Sequence, residues 1–252
     1  MTATAPHRLA VRVLSDEAEL GLVAAADVAD ELRARLTRQD SVRIVFAAAP
    51  SQRAMLERLR TAEGIDWTRV TAFHMDEYLG LPPDAPQRFA GWLKAALFEH
   101  LPLAAVHLIS PDGDPQRCAD DYAALLAEAP VDVVCLGIGV NGHLAFNDPP
   151  VANLSDPDAV KIVELDAECR QQQVDDGAFG SLAEVPGRAV TLTVPRLLAA
   201  DRLICVVPGR HKRAAVWRAL HDPVDAACPA TALRTHPACT LYLDRGSDPD
   251  GC

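Results

Sequence analysis

The chain has 252 residues, 49% of them apolar, with 24 basic against 35 acidic side chains and a net charge of −11 at pH 7. That is enough apolar material to fill the core of one large domain or two small ones. The acidic surplus repels phosphate backbones and anionic lipid, and no apolar run approaches a membrane span, so neither nucleic acid nor a membrane is an expected partner.

In chain order, "MTATAPHRLAVRVL" lacks the basic start, apolar core and small-residue cleavage site of an export signal, which predicts a cytoplasmic protein. The β-branched runs predict strands at 8–14, 42–48, 69–75, 132–138, 160–164, 189–193, 202–207 and 240–244. Between them, helical spacing of apolar residues predicts helices at 15–38, with Ser15 as the N-cap, and at 51–61, 114–128 and 210–220. Strands apolar on both faces alternating with helices define the fold class as α/β. The expected architecture is a single doubly wound, mostly parallel sheet with helices on both faces, Rossmann-like, in one domain spanning 1–252. The tail "RGSDPDGC", 245–252, is expected to fray. Seven scattered cysteines without a CxxC pair read as reduced thiols rather than zinc ligands.

Polar residues gather where strands end. After 42–48 the chain reads "AAAPSQ", a strand-to-helix turn of the kind that holds phosphate but with no glycine; Ser51 either caps the helix or donates its hydroxyl. After "RVTAF" comes "HMDEY", where alternation puts His74 and Asp76 on one face. With His143 these two would offer a zinc three ligands, but nothing further is spaced to help and no metal is expected. "GIGVNG", 137–142, fits GxGxxG, yet Pro149 and Pro150 would stop the helix that a dinucleotide requires. The better reading is a loop whose Gly137, Gly139 and Gly142 bring Asn141, His143 and Asp148 into a crevice at the strand ends. In "VPGRHKRAAV", Arg210, Lys212 and Arg213 form a basic cluster at a helix start, where the helix dipole disfavours them.

The runs "VTAFHMDEYLGLP" and "LGIGVNGHLAFNDP", with "PATALRTHP" at 229–237, resemble the glucosamine-6-phosphate deaminase and isomerase family. The related 6-phosphogluconolactonases usually carry DER and a GHTASLFP-like run, where this chain has DEY and GHLAFND. The resemblance implies conversion of glucosamine 6-phosphate to fructose 6-phosphate and ammonia without a cofactor. It assigns Asp76 as the general base and His143 to ring opening, with Asn141 and Asp148 orienting the imidazole. Expected substrate contacts are Ser51, Gln52, Glu77, Gly139, Gly142, Arg210 and Lys212, although Glu77, opposite Asp76 on its strand, suits a loop-fixing role better.

Several positions depart from the family pattern. Asp148 stands where many members have glutamate, so its shorter arm calls for a shifted His143 or a bridging water. "AAPSQ" replaces a TGGTP-like loop, and Pro50 removes an N–H donor. Lys212 matches the family lysine, but Asp175 and Asp176 fall near the family's phosphate arginine. A different or unphosphorylated amino sugar, a lactone hydrolase and a non-catalytic sensor are the alternative readings, and a homo-oligomer is compatible with the resemblance.

Overall fold

The computed structural model describes residues 9–251. The start of the strand expected at 8–14, most of the N-terminal stretch read for export signals, and Cys252 therefore lie outside the described residues. The strands are β1 (Ala10–Leu14), β2 (Val42–Phe46), β3 (Val70–His74), β4 (Asp76–Tyr78), β5 (Ala105–His107), β6 (Val133–Leu136), β7 (Val160–Glu164), β8 (Arg188–Leu192), β9 (Arg202–Val207) and β10 (Cys239–Asp244). The helices are α1 (Glu17–Leu36), α2 (Arg53–Leu59), α3 (Phe89–Ala96), α4 (Pro115–Ala127), α5 (Ala167–Asp175), α6 (Val194–Leu198) and α7 (Arg213–His221). None of these helices is long and apolar enough to cross a membrane.

Seven strands form a parallel sheet in the order β1-β10-β9-β6-β2-β3-β5. Its central members are apolar on both faces because helices cover both, and β2 and β6 have no exposed residue. One core packs α4, α6 and α7 under Val45, Phe73, Val134 and Cys205; the other packs α1 and α2 over Ile44, Phe46, Ala72 and Ile204. The doubly wound α/β class is as the sequence predicts, but the sheet is not single. β4, β8 and β7 make a second, antiparallel sheet over a small core of Tyr78, Phe146, Phe179 and Val163.

Other differences have local causes. Asp16, not Ser15, caps α1: its carboxylate accepts from Glu19 N at 2.9 Å, while Ser15 N donates to Glu19 Oε2 at 2.7 Å. Helix α5 goes unpredicted because "AECRQQQVD" buries only Cys169 and shows no apolar stripe. The tail does not fray up to residue 251: Asp244 Oδ1 accepts from Ser247 N at 2.7 Å, Ser247 is buried, and Arg213 donates to the carbonyls of Arg245 and Gly246. Among the described residues six cysteines are free thiols, five of them buried.

Helices α1 and α2 touch at Gly21, where a Cβ would sit 2.6 Å from Ala54 Cβ and 2.7 Å from its carbonyl carbon. Gly21→Ala is therefore expected to destabilise the fold by about 1–3 kcal/mol through overpacking, against a helix-propensity gain of roughly 1 kcal/mol. Urea unfolding measures the balance; a net gain in stability would mean that the two helices separate freely.

Candidate active site

A cavity of about 480 Å³ opens at the carboxyl edge of the parallel sheet. It lies where the strand order reverses between β2 and β6, the usual ligand crevice of a doubly wound sheet. Its wall comes from the loop after β2 (Ala47 to Ser51), Met75 and Asp76 between the two sheets, the loop after β6, α5, and Lys212.

Asp76 reaches the cavity because the chain changes sheets beside it. β3 ends at His74, and Met75 O accepts from Leu192 N at 2.8 Å, which starts the antiparallel ladder that pairs Asp76 with Thr191. Strand alternation does not carry across this break. Met75 and Asp76 face the cavity, while His74 is fully buried elsewhere, its Nε2 accepting from Ile109 N at 2.7 Å. Burial lowers the His74 pKa to about 3, so it is neutral, and the His74, Asp76 and His143 metal arrangement is not formed. Asp76 is 6% exposed. Burial first, then the charges of Glu77 and Asp148, hold its pKa well above 3.8.

The loop after β6 runs through turns, not a helix, so the glycine pattern is not a dinucleotide site. Asn147 Nδ2 staples the loop to Leu144 O and Leu192 O, each at 2.8 Å. His143 Nδ1 lies 2.9 Å from Asp148 Oδ1, and Asn141 Nδ2 donates to the same oxygen at 3.0 Å. The shorter aspartate thus lies within direct reach of the imidazole, with no room for a bridging water. Burial pushes the Asp148 carboxyl up, but His143, Asn141 and the Asp166 amide outweigh it and hold its pKa below the ordinary value. Gly139 leaves the space the ring occupies, since a Cβ there would lie 2.2 Å from His143 Nε2. Cys169 stands behind Asp148; the donor atoms of His143, Asp148 and Cys169 lie within 4.8 Å of one another, a set able to hold a thiophilic cation.

The expected contacts divide. Ser51, Gly139 and Lys212 line the cavity. Gln52 is buried beneath it, donating to Val206 O at 3.1 Å and to Ser51 Oγ at 3.2 Å. Glu77 is buried and caps α3, accepting from Phe89 N and Ala90 N, so it fixes the loop and does not meet a substrate. Gly142, at φ 89°, packs on Cys228, and Arg210 points outward, so neither forms part of the wall. Lys212 is 4% exposed, and burial lowers its pKa to about 8 despite the opposing charge of Asp176. Sequence reasoning misses Arg53, Gln172, Gln173, Phe89, Trp92 and Phe146 on the wall. Arg53, two residues past Ser51, was findable from its place in the first helical turn; the α5 glutamines carried no signal without the helix.

A buried carboxylate of raised pKa facing a carboxylate-oriented imidazole, at the switch point of a doubly wound sheet, defines the class: an α/β enzyme equipped for proton transfer. The chain belongs to the family of glucosamine-6-phosphate isomerases and 6-phosphogluconolactonases, whose pattern matches residues 15–242. It is 32% identical to a glucosamine-6-phosphate deaminase of Mycolicibacterium smegmatis over 93% of this chain and 89% of that protein. It is 31% identical to one from Pseudarthrobacter chlorophenolicus over 88% and 85%. Among solved structures, a monomeric glucosamine-6-phosphate deaminase superposes with a TM-score of 0.87 at 24% identity, covering 95% of this chain and 98% of that one. A 6-phosphogluconolactonase from Thermotoga maritima gives 0.77 at 18%, covering 94% and 100%. At these identities the two structures speak for the fold.

Two outcomes follow from the geometry. Asp76 keeps its proton in the folded chain to a higher pH than in the unfolded one. Stability is therefore lost as pH rises above 3.8 towards the folded pKa. Asp76→Asn should melt above the wild type near neutrality, with the gap closing as pH falls towards 3.8; a gap independent of pH would contradict the raised pKa. Gly139→Ala should fold yet lose at least about tenfold in turnover, because the His143 ring must leave its place. Wild-type turnover in that variant would show that the ring position is unimportant.

Proposed function

We propose that the cavity converts glucosamine 6-phosphate and water into fructose 6-phosphate and ammonia. The observation that carries this reading is the pairing of two separate acid–base groups: Asp76, buried beside the cavity, and His143, backed by Asp148 at 2.9 Å. The reaction needs one group to open the sugar ring and another to move a proton between adjacent carbons. His143 passes the proton that opens the ring, with Asp148 and Asn141 fixing the imidazole. Asp76 takes the proton from C2 of the open aldehyde and returns it at C1. The C2–H bond breaks and a C1–H bond forms, while a proton leaves the nitrogen and one is taken up by the aldehyde oxygen, so that C1 becomes a primary alcohol and C2 an imine. Water adds to that imine and ammonia leaves.

Burial suits Asp76 to this work, because a carboxylate of raised pKa is a stronger base than a solvated one. The steps are proton transfers and hydration, which call for no redox cofactor. In this reading the chain works as one domain in the cytoplasm on a free sugar phosphate, whose phosphate end lies towards Ser51 and Lys212.

Release of ammonia and fructose 6-phosphate from glucosamine 6-phosphate tests the reading, with 6-phosphogluconolactone run in parallel. Asp76→Asn should cut turnover by about 10²–10⁴-fold and abolish exchange of the C2 proton with solvent deuterium. Hydrolysis of the lactone without ammonia release from the amino sugar would sink the proposal, as would undiminished turnover in the variant.

A further inference from the structure

Lys212 alone does not give the cavity the charge that a phosphate end requires. A phosphate monoester carries about −1.5 to −2 at neutral pH. Lys212 is the buried cation, but Asp176 lies on the same wall, and its charge acts on the lysine. Gln172 Nε2 donates to Asp176 Oδ2 at 3.2 Å and holds the carboxylate there. The two charges cancel. The neighbouring glutamines add neutral donors but no charge: Gln172 Oε1 accepts from Val140 N at 3.0 Å, and Gln173 Oε1 accepts from the Tyr78 hydroxyl at 2.7 Å. Pro50, at the apex of the loop after β2, has no N–H, so the loop offers one backbone donor fewer than a glycine-rich turn.

The permanently charged group left on the wall is Arg53. It begins α2, two residues after Ser51, and joins no ion pair among the described residues. Its guanidinium lies 5.6 Å from the centroid of Trp92, another wall residue. Stacking on an indole orients the planar group while leaving its N–H fork open to an anion. Asp27, Asp132 and Asp112 occupy other arginines of the fold; Arg53 has a ring instead of a carboxylate.

We propose that Arg53 and Lys212 clamp the phosphate of the substrate from two sides, and that Asp176 sets the strength of the clamp by opposing it. The inference rests on the sugar-phosphate reading of this cavity. Arg53 presents two parallel donors to two phosphate oxygens, Lys212 meets the anion as a point charge, and the Ser51 hydroxyl belongs to the same cavity wall. An arginine side chain thus does what loop amides would do in a glycine-rich turn. Asp176 makes the same cavity poorer for dianions than its two cations alone would allow.

The test measures KM for glucosamine 6-phosphate and the inhibition constant of inorganic phosphate at one fixed ionic strength. Arg53→Gln should raise both by about tenfold or more, with a smaller change in kcat, as expected for a charged bidentate contact made in ground state and transition state alike. Arg53→Lys should recover only part of the loss, because an ammonium lacks the fork. Asp176→Asn should lower both constants by about threefold or more by removing a like charge. An unchanged phosphate constant in Arg53→Gln, or no tightening in Asp176→Asn, overturns the clamp. Calorimetric titration of inorganic phosphate into wild type and Arg53→Lys separates this from the functional reading. A wild type that binds phosphate in an Arg53-dependent way without deaminating the sugar supports the clamp while sinking the proposed reaction. A wild type that binds no phosphate sinks the clamp.

Discussion

The site depends on the place where the chain leaves one sheet for another. β3 is held in the parallel sheet by β2 and β5, and its last residue, the buried neutral His74, is pinned by Ile109 N, which donates to its Nε2, and by the Tyr122 hydroxyl, which donates to His74 O at 2.9 Å. One residue later, Met75 O takes the Leu192 amide and the ladder with β8 begins. Asp76 is therefore gripped from both sides by regular hydrogen bonding, which removes the backbone freedom a loop would leave it. The same antiparallel sheet receives the loop after β6, through Thr191 Oγ1, which accepts from Phe146 N, and Leu192 O, which accepts from Asn147. Both halves of the acid–base pair hang on β8, and their spacing is a property of that one strand.

Two nearby carboxylates in this arrangement have opposite habits. Asp148 is fully buried but surrounded by donors, and the ionised form wins. At Asp76, burial and two negative neighbours raise the pKa well above the ordinary carboxylate value. Pushing two carboxyl groups apart in this way gives one a fixed charge for orienting an imidazole and the other a proton it can take and return. Maintaining the difference costs folding free energy at Asp76, while Tyr78, Phe89 and Phe146 in the neighbouring small core pack with ring centroids 4.8–5.5 Å apart.

The parallel framework was legible because its strands are apolar on both faces and its longer helices, α1 and α4, repeat apolar residues at helical spacing. Asp76, Asn141, His143 and Asp148 were legible as a group because they stand in two unusual polar runs at strand ends. The small sheet was not, since β4 is three residues long and β8 reads like any buried strand. That omission produced the errors at the site: without the sheet break, His74 shares a face with Asp76, and Glu77 passes for a substrate contact although its partners are amides of α3. Arg210 and Lys212 looked alike in a basic run, and only the turn geometry after Gly209, at φ 97°, sends one inward and the other to solvent.

The glycine-free loop "AAAPSQ" follows from the same economy of backbone conformation. No residue from 47 to 53 has a positive φ: Ala49 is extended at −153°, and Pro50 opens a short 3₁₀ turn at a φ that proline favours. Such a path needs no glycine. Rigidity comes instead from Gln52, buried under the turn and tied to Val206 O on β9, with Gly137 close enough that a Cβ would meet Gln52 Nε2 at 3.1 Å. The turn presenting Lys212 is held by the end of β10 and the residues that follow it: Gly209 N donates to the Asp244 carboxylate, which also accepts from Ser247 N. The loop after β2 and the turn carrying Lys212 are thus fixed by side chains behind the wall, and a loop stiffened in that way leaves ligand recognition to the side chains in front of it.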